Sequence, residues 1–373
     1  HAQNQQLFEH NYFGSDSIDL AKRNSLRNTF GISLREGFNK WAKAGLTAYI
    51  THEYRDFGLR DTTENGRIIM KQYKENAVFV GGELLKEQGK LLHYKVLGEI
   101  GIAGEDAGNL RVEGKGDLNF KLLGDSVRLD ANAYVKNLNP TFFYRHFHSK
   151  HYWWNNDDLS KIMRTRIEGK LSFNKLGTTL RAGVENIKNY TYLANTSIPV
   201  LNSQQEVVSY KNNASVAQYS GNIQVFTAMW QQQFKVGIFH LDGEVAYQKS
   251  SEKEILPLPS LSAYGNLYIK TGLAKNVLQL ELGADVRYFT KYHAPDYSPV
   301  ISQFYLQNPD NRISIGGCPM VNVYANLHLK RARFYVMMYN VNQNSGNSSY
   351  FLAPHYPINP KMIKAGISWN FFD

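Results

Sequence analysis

The chain has 373 residues, 43% of them hydrophobic, and a mean hydropathy of −0.42; no stretch approaches the roughly 18 to 20 uninterrupted apolar residues of a spanning helix, which excludes an α-helical membrane protein. Lys and Arg number 42 against 32 Asp and Glu, a formal charge of +10 spread along the whole chain, and without a basic arm or face this argues against nucleic acid as a partner. The one cysteine, Cys318, excludes an internal disulfide and a zinc-type cluster.

The N-terminal stretch from His1 to Phe8 lacks the charged-then-apolar pattern of a signal segment, and residues 1–22 are expected to be a periplasmic lead-in or a partial first strand. A first strand is expected near Leu26 to Leu34. Beyond it the organising signal is period-two alternation, which puts successive side chains on opposite faces of a strand. From 110 to 122, Leu110, Val112, Gly114, Gly116, Leu118, Phe120 and Leu122 alternate with Arg111, Glu113, Lys115, Asp117, Asn119 and Lys121. After a turn at 123–126, Val127, Leu129, Ala131, Ala133 and Val135 alternate with Arg128, Asp130, Asn132, Tyr134 and Lys136, which reads as a hairpin. Residues 164–174 oppose Ile167, Gly169, Leu171 and Phe173 to Arg164, Arg166, Glu168 and Lys170, and Leu180, Ala182 and Val184 return with Arg181 and Glu185 between them.

The second half repeats the theme. Phe239, Leu241, Val245 and Tyr247 oppose Asp242 and Glu244; Leu267 and Ile269 oppose Lys270; Leu280, Leu282 and Val286 oppose Glu281, Asp285 and Arg287; and Val323 to Leu329 oppose a series ending at Lys330. Such strands are about ten residues or longer, enough to cross a bilayer when tilted. Short turns near 87–90, 123–126, 175–178, 234–238, 274–276 and 330–333 alternate with long stretches near 52–74, 137–162, 190–214, 249–258, 290–317 and 341–358. Outer-membrane barrels sort their connections this way, with the short side periplasmic.

Left in water, the apolar rows would form a patch far above the few hundred Å² that monomers tolerate. In lipid, a sheet with unpaired backbone groups must close on itself. The expected fold is therefore all-β: a transmembrane antiparallel up-and-down β-barrel with about 14–16 strands visible, a single domain over 1–373, either whole or part of a larger barrel.

The last strand carries the most specific local signal. Tyr356, Pro357, Ile358, Asn359 and Pro360 lead into Ile363, Lys364, Ala365, Gly366, Ile367, Ser368, Trp369, Asn370, Phe371, Phe372 and Asp373, an outward series that closes on aromatics. This ending resembles that of the putative porin family of Bacteroidota. The resemblance implies an outer-membrane channel and carries over no catalytic residue.

Residues expected to line a pore are Arg111, Glu113, Lys115, Asp117, Lys121, Arg128, Asp130, Arg164, Arg166, Glu168, Lys170, Asp242, Glu244, Lys270, Glu281, Asp285, Arg287 and Lys330. Phe120, Phe173, Phe239, Tyr247, Trp369 and Phe371 are expected to face the membrane or its aromatic girdle. The basic excess predicts weak anion selectivity; alternatively these groups pair across strands and brace the wall. The aromatics of 141–158 read as membrane-interface residues, with sugar stacking as an alternative. His146, His148 and His151 are weak metal candidates, and Asp157 and Asp158 read as solvated loop acids rather than an acid–base pair. No cofactor, metal or enzymatic activity is expected. The expected location is the bacterial outer membrane, among lipid and lipopolysaccharide. The expected function is passive diffusion of small polar or weakly anionic solutes; the alternative is a structural or receptor barrel within a larger envelope complex, with protein partners and self-association left open.

Overall fold

A computed structural model of the chain describes residues 7–38, 43–122, 124–343, 345 and 351–371. Fifteen strands form one sheet, and each pairs antiparallel with the next in sequence: β1 (Ala21–Leu34), β2 (Gly45–Thr62), β3 (Ile68–Lys86), β4 (Leu92–Gly104), β5 (Leu110–Leu122), β6 (Asp125–Leu138), β7 (Ile162–Phe173), β8 (Thr178–Asn195), β9 (Ala214–Val236), β10 (Phe239–Ser250), β11 (Leu261–Leu273), β12 (Leu278–Phe289), β13 (Met320–Leu329), β14 (Ala332–Tyr339) and β15 (Met362–Trp369). No helix among the described residues is long and apolar enough to cross a membrane. The outer edges of β1 and β15 pair with no described residue.

Register carries the alternation from strand to strand. In β5–β8 the residues at one depth are Arg111, Lys136, Arg164 and Ile187, and two residues further along they are Glu113, Tyr134, Arg166 and Glu185. One face of the sheet is thus polar along most of its length and turns apolar toward the long connections, where Ile187 packs with Ile223 and Val225. The other exposes Ile167, Leu180, Val184, Trp230, Phe234, Leu267, Ile363 and Ile367, the isoleucines at close to 70%, so a lipid phase suits it far better than water does. Tyrosines brace the polar face where neighbouring strands carry glycine. A Cβ at Gly81 would overlap the Tyr49 ring and one at Gly283 the Tyr324 ring, so each ring covers backbone that a side chain would otherwise shield.

Turn chemistry explains the short side. Gly124, Gly177 and Gly237 hold positive φ between paired strands, as do Ala274, Lys275 and Asn276. Lys330 belongs here rather than on the wall. It turns the chain between β13 and β14 at φ 50°, which corrects its place among the pore-lining residues: the alternation ends one residue earlier, at Leu329.

One further expectation about connections changes. Residues 52–74 are not a loop. β2 and β3 are 18 and 19 residues long and run on past the about ten needed to cross a bilayer, so only residues 63–67 turn. The connection between β4 and β5 is also short, because Gly104 and Gly108 at positive φ fold 105–109 tightly against β3 and β4. The long connections near 139–161, 196–213, 290–319 and 340–361 lie on this same side. The segment Leu7–Leu20 is not a wall strand; it lies among these long connections, and residues 1–6 fall outside the described residues. The closing Phe372 and Asp373 also fall outside them.

Candidate functional site

The polar face of β4–β8 is laced by ion pairs, some along one strand and some across strands. Glu113 takes Arg111 at 2.9 Å and Lys136 at 2.6 Å. Glu185, buried, takes Arg164 at 2.5 Å, Arg166 at 3.2 Å and the Tyr134 hydroxyl at 2.8 Å. Glu168 receives Arg166 and, at 2.6 Å, Arg181. Asp130 lies between Arg128 at 2.8 Å and Lys170 at 3.5 Å, and Asp117 takes His93 at 2.9 Å and Arg128 at 3.4 Å.

The polar face of β9–β13 is held differently. Its acids are met by amides: Gln231 on Glu244 at 2.7 Å, Asn322 on Asp285 at 2.9 Å, and Asn326 on Glu281 at 3.0 Å. Arg287 lies over the Tyr264 ring at 5.6 Å. The two sectors of one face therefore differ in character, the first rich in paired cations and the second in amides, tyrosines and carboxylates.

The connection from 139 to 161 folds over this same face. A single helical turn, Phe142–Arg145, stacks Phe142 on Phe57 of β2 with ring centroids 3.7 Å apart. Arg145 reaches Glu75 of β3 at 2.5 Å and Glu105 at 2.6 Å, while Arg55 binds Asp106 at 2.6 Å and Glu75 at 3.1 Å. A small hairpin follows, pairing 146–148 with 153–155. Tyr152 and Trp154 pack with Leu193 of β8, Ala214 of β9 and Tyr305 of the 290–319 connection. The segment Leu7–Leu20 lies along this hairpin. Phe8 stacks on His151 at 3.9 Å, Tyr12 N–H donates to the Lys150 carbonyl at 2.8 Å, and Asp16 pairs with Arg60 of β2 at 2.5 Å. Phe8 also bridges to Asn212, next to β9. A cap built from four stretches of chain thus covers the polar face at its long-connection end.

Phe142, Tyr152 and Trp154 are therefore buried in the cap, with Tyr144, Phe147 and Trp153 half-buried beside them and Phe143 exposed, which corrects the reading of this stretch as membrane-interface residues. Alternation cannot reveal this, because partners such as Phe57, Leu193 and Tyr305 lie on elements far along the chain. The three histidines separate. His146 and His148 share the Asn155 side chain at 3.1 Å each, while His151 meets the His10 carbonyl at 2.8 Å, and no cluster of three metal-ligating side chains exists among the described residues. Asp157 is exposed and lies 3.3 Å from His146.

Burial holds His148 below the ordinary histidine range and keeps it neutral; Lys71 adds to this, while Asn155, Asp61 at 3.8 Å and the Arg60 carbonyl oppose it. Protons then bind the opened hairpin more readily than the packed one. Packing is at full strength above about pH 6.5, the unfolded value, and weakens as pH falls from there toward the depressed folded value. His148 stacks on Trp153 at 3.8 Å, so mild acid is expected to change Trp153 fluorescence and speed amide exchange over 146–155. His148→Phe should remove that pH response; exchange that stays flat with pH in the native chain would contradict the argument.

Of the residues singled out in the sequence, Arg111, Glu113, Lys115, Asp117, Lys121, Arg128, Asp130, Arg164, Arg166, Glu168, Lys170, Asp242, Glu244, Lys270, Glu281, Asp285 and Arg287 fall on the polar face by strand parity and register. Phe120, Phe173, Phe239, Tyr247 and Trp369 fall on the other face, and Phe371 follows the end of β15, exposed. Sequence reading missed the contribution of β1–β4: Tyr49 donates to Glu99 at 3.1 Å, Arg27 pairs with Glu99 at 3.5 Å, and Lys95 pairs with Glu83 at 2.8 Å. Their signal was present as alternation in 45–62 and 92–104, obscured by the length of β2 and β3.

A family model described as "Putative porin" matches residues 1–373. No curated protein matches the chain significantly by sequence. Among solved structures, the siderophore receptor PirA from Acinetobacter baumannii is similar with a TM-score of 0.61 at 9% identity, covering 95% of this chain and 56% of the receptor. A ferric enterobactin receptor mutant from Pseudomonas aeruginosa, solved with enterobactin, has a TM-score of 0.57 at 12% identity, over 87% of this chain and 49% of that one. The copper transporter OprC has a TM-score of 0.54 at 12% identity, over 93% and 55%. The chain spans about half the length of these structures, and at such identities the likeness speaks to fold.

Proposed function

The chain belongs to the putative porin family as an outer-membrane transport barrel, and on that footing we propose that it is a porin-like channel for passive diffusion of small polar or weakly anionic solutes. The observation that carries this reading is the surplus of base on the polar face of β5–β8, where Arg111, Lys115, Lys121, Arg128, Lys136, Arg164, Arg166, Lys170 and Arg181 face Glu113, Asp117, Asp130, Glu168 and Glu185. A surplus of fixed cations beside an aqueous path raises the local concentration of anions. Pairing lowers the surplus without removing it, so bracing and weak selectivity coexist. The apolar face contacts the lipid bilayer, with lipopolysaccharide proposed as its outer-leaflet neighbour. We assign no catalytic role to any residue.

The cap favours a second reading, a structural or receptor barrel whose path is closed at one end until a partner or solute moves it. Planar bilayers separate the two. Stable open steps from the purified barrel support the channel, and silence supports the closed barrel. Given open steps, Lys115→Glu with Lys121→Glu is expected to move the reversal potential in a salt gradient toward cations. These two are cleaner probes than Arg164 and Arg166, whose loss would leave buried Glu185 without its cations. An unmoved potential would mean that Lys115 and Lys121 lie off the path.

A further inference from the structure

We propose that the polar face holds a binding station for a small oxyanion, a phosphate or carboxylate group, centred on Lys115; this deepens the channel reading by naming a solute class and a place. A cavity of about 520 Å³ lies against this part of the wall, lined by Lys95, Lys115, Arg128, Lys170 and Arg181 together with Asn132, a size within the usual range for small-ligand sites.

Register sets like charges side by side here, as it does at Arg111, Lys136 and Arg164, where Glu113 and Glu185 compensate them. Lys95 stands directly opposite Lys115 across β4 and β5, and Lys170 directly opposite Arg181 across β7 and β8. Like charges directly opposite weaken an antiparallel pair, so wall stability alone does not favour this order.

Four carboxylates also line the cavity; three are already engaged, and the fourth, Glu87, follows the end of β3 at the short-turn end of the wall. Asp117 holds His93 and Arg128, Asp130 holds Arg128 and Lys170, and Glu168 holds Arg166 and Arg181. Lys95 has Glu83, on the side away from Lys115. Lys115 has no carboxylate within ion-pair reach among the described residues, and its other cross-strand neighbour is the neutral Asn132. An oxyanion seated there would supply the missing negative group, taking charge-assisted contacts from Lys115 and Lys95 and an amide contact from Asn132.

A second cavity of about 940 Å³ shares Arg128, Asp130 and Lys170 and continues toward the short turns, adding Lys90 and Lys121 with Asp130 as its one lining carboxylate. The station therefore opens onto a basic stretch at the turn end of the wall.

The test is calorimetric titration of the purified full chain in detergent, with inorganic phosphate in one arm and succinate in the other, at physiological ionic strength. Saturable binding is expected in at least one arm, which also tells phosphate from carboxylate. Lys115→Gln should weaken it roughly tenfold or more, the scale of one lost charged contact, and Lys115→Arg should retain most of it. Lys95→Gln serves as the second variant should Lys115→Gln fold poorly. Heat that never saturates, or affinity equal in wild type and both Gln variants, overturns the station. Bilayer recordings keep the two claims apart: saturable binding by a silent barrel leaves the station and removes the channel, while conductance without saturable binding does the reverse.

Discussion

Replacing residues 141–158 with a short Gly–Ser bridge should raise single-channel conductance several-fold while the wall stays folded. The removed segment carries the cap's anchors: Phe142 stacked on Phe57, Arg145 bound to Glu75 and Glu105, and Trp154 donating to the Phe143 carbonyl at 2.9 Å. Losing Arg145 removes a hydrogen bond from buried Glu75 but leaves it the Arg55 charge at 3.1 Å. None of the fifteen strands lies within the segment, so the ladder of backbone bonds is untouched. Planar-bilayer recordings read the outcome directly. A native chain that is silent and a deleted chain that conducts would make the cap a closed gate; equal conductance in both would place it beside the path rather than across it.

Ile167→Arg should destabilise the barrel by about 2–4 kcal/mol, the range for a cation on the lipid face near the bilayer midplane. Ile167 is 68% exposed, near the middle of β7, with Ala133 and Val184 as its cross-strand neighbours, so nothing close by can pair with a guanidinium. The polar-face control is Asn132→Arg, one register step away and directly opposite Glu168 on one side and Lys115 on the other, where attraction and repulsion offset and water screens both, so it should cost much less than Ile167→Arg. Urea unfolding from lipid vesicles measures both. If Asn132→Arg carries the penalty and Ile167→Arg does not, the two faces have been exchanged and the assignment of the charged side to water fails.

How much of this could be read in the chain divides along the range of the interactions. The hairpins of β5–β8 were legible almost residue by residue, because burial on one face and charge on the other write a period of two into the sequence. The same rule placed Arg164 and Arg166 together on one face without revealing that both serve Glu185, which depends on the register of β7 against β8. Lys330 was misplaced because an alternating pattern does not announce the residue at which a chain turns. The cap was illegible for a deeper reason. Phe142 needs Phe57, Tyr152 needs Tyr305, and Phe8 needs His151, contacts that no local period encodes, so those aromatics looked like ordinary interface residues. His148 likewise resembled a metal candidate until its ring was seen stacked on Trp153 with its nitrogens near Asn155 and the Arg60 carbonyl.

The direction in which the two outermost strands travel has a consequence of its own. In a meander of fifteen, the first and last run the same way. Joined directly, they would form a parallel seam, with slanted bonds unlike those of the other fourteen junctions. A ring whose every junction is antiparallel closes only on an even tally. Around such a ring the edges of β1 and β15 meet across an odd number of additional crossings, and until they do, each free amide and carbonyl along them that faces hydrocarbon costs several kcal/mol.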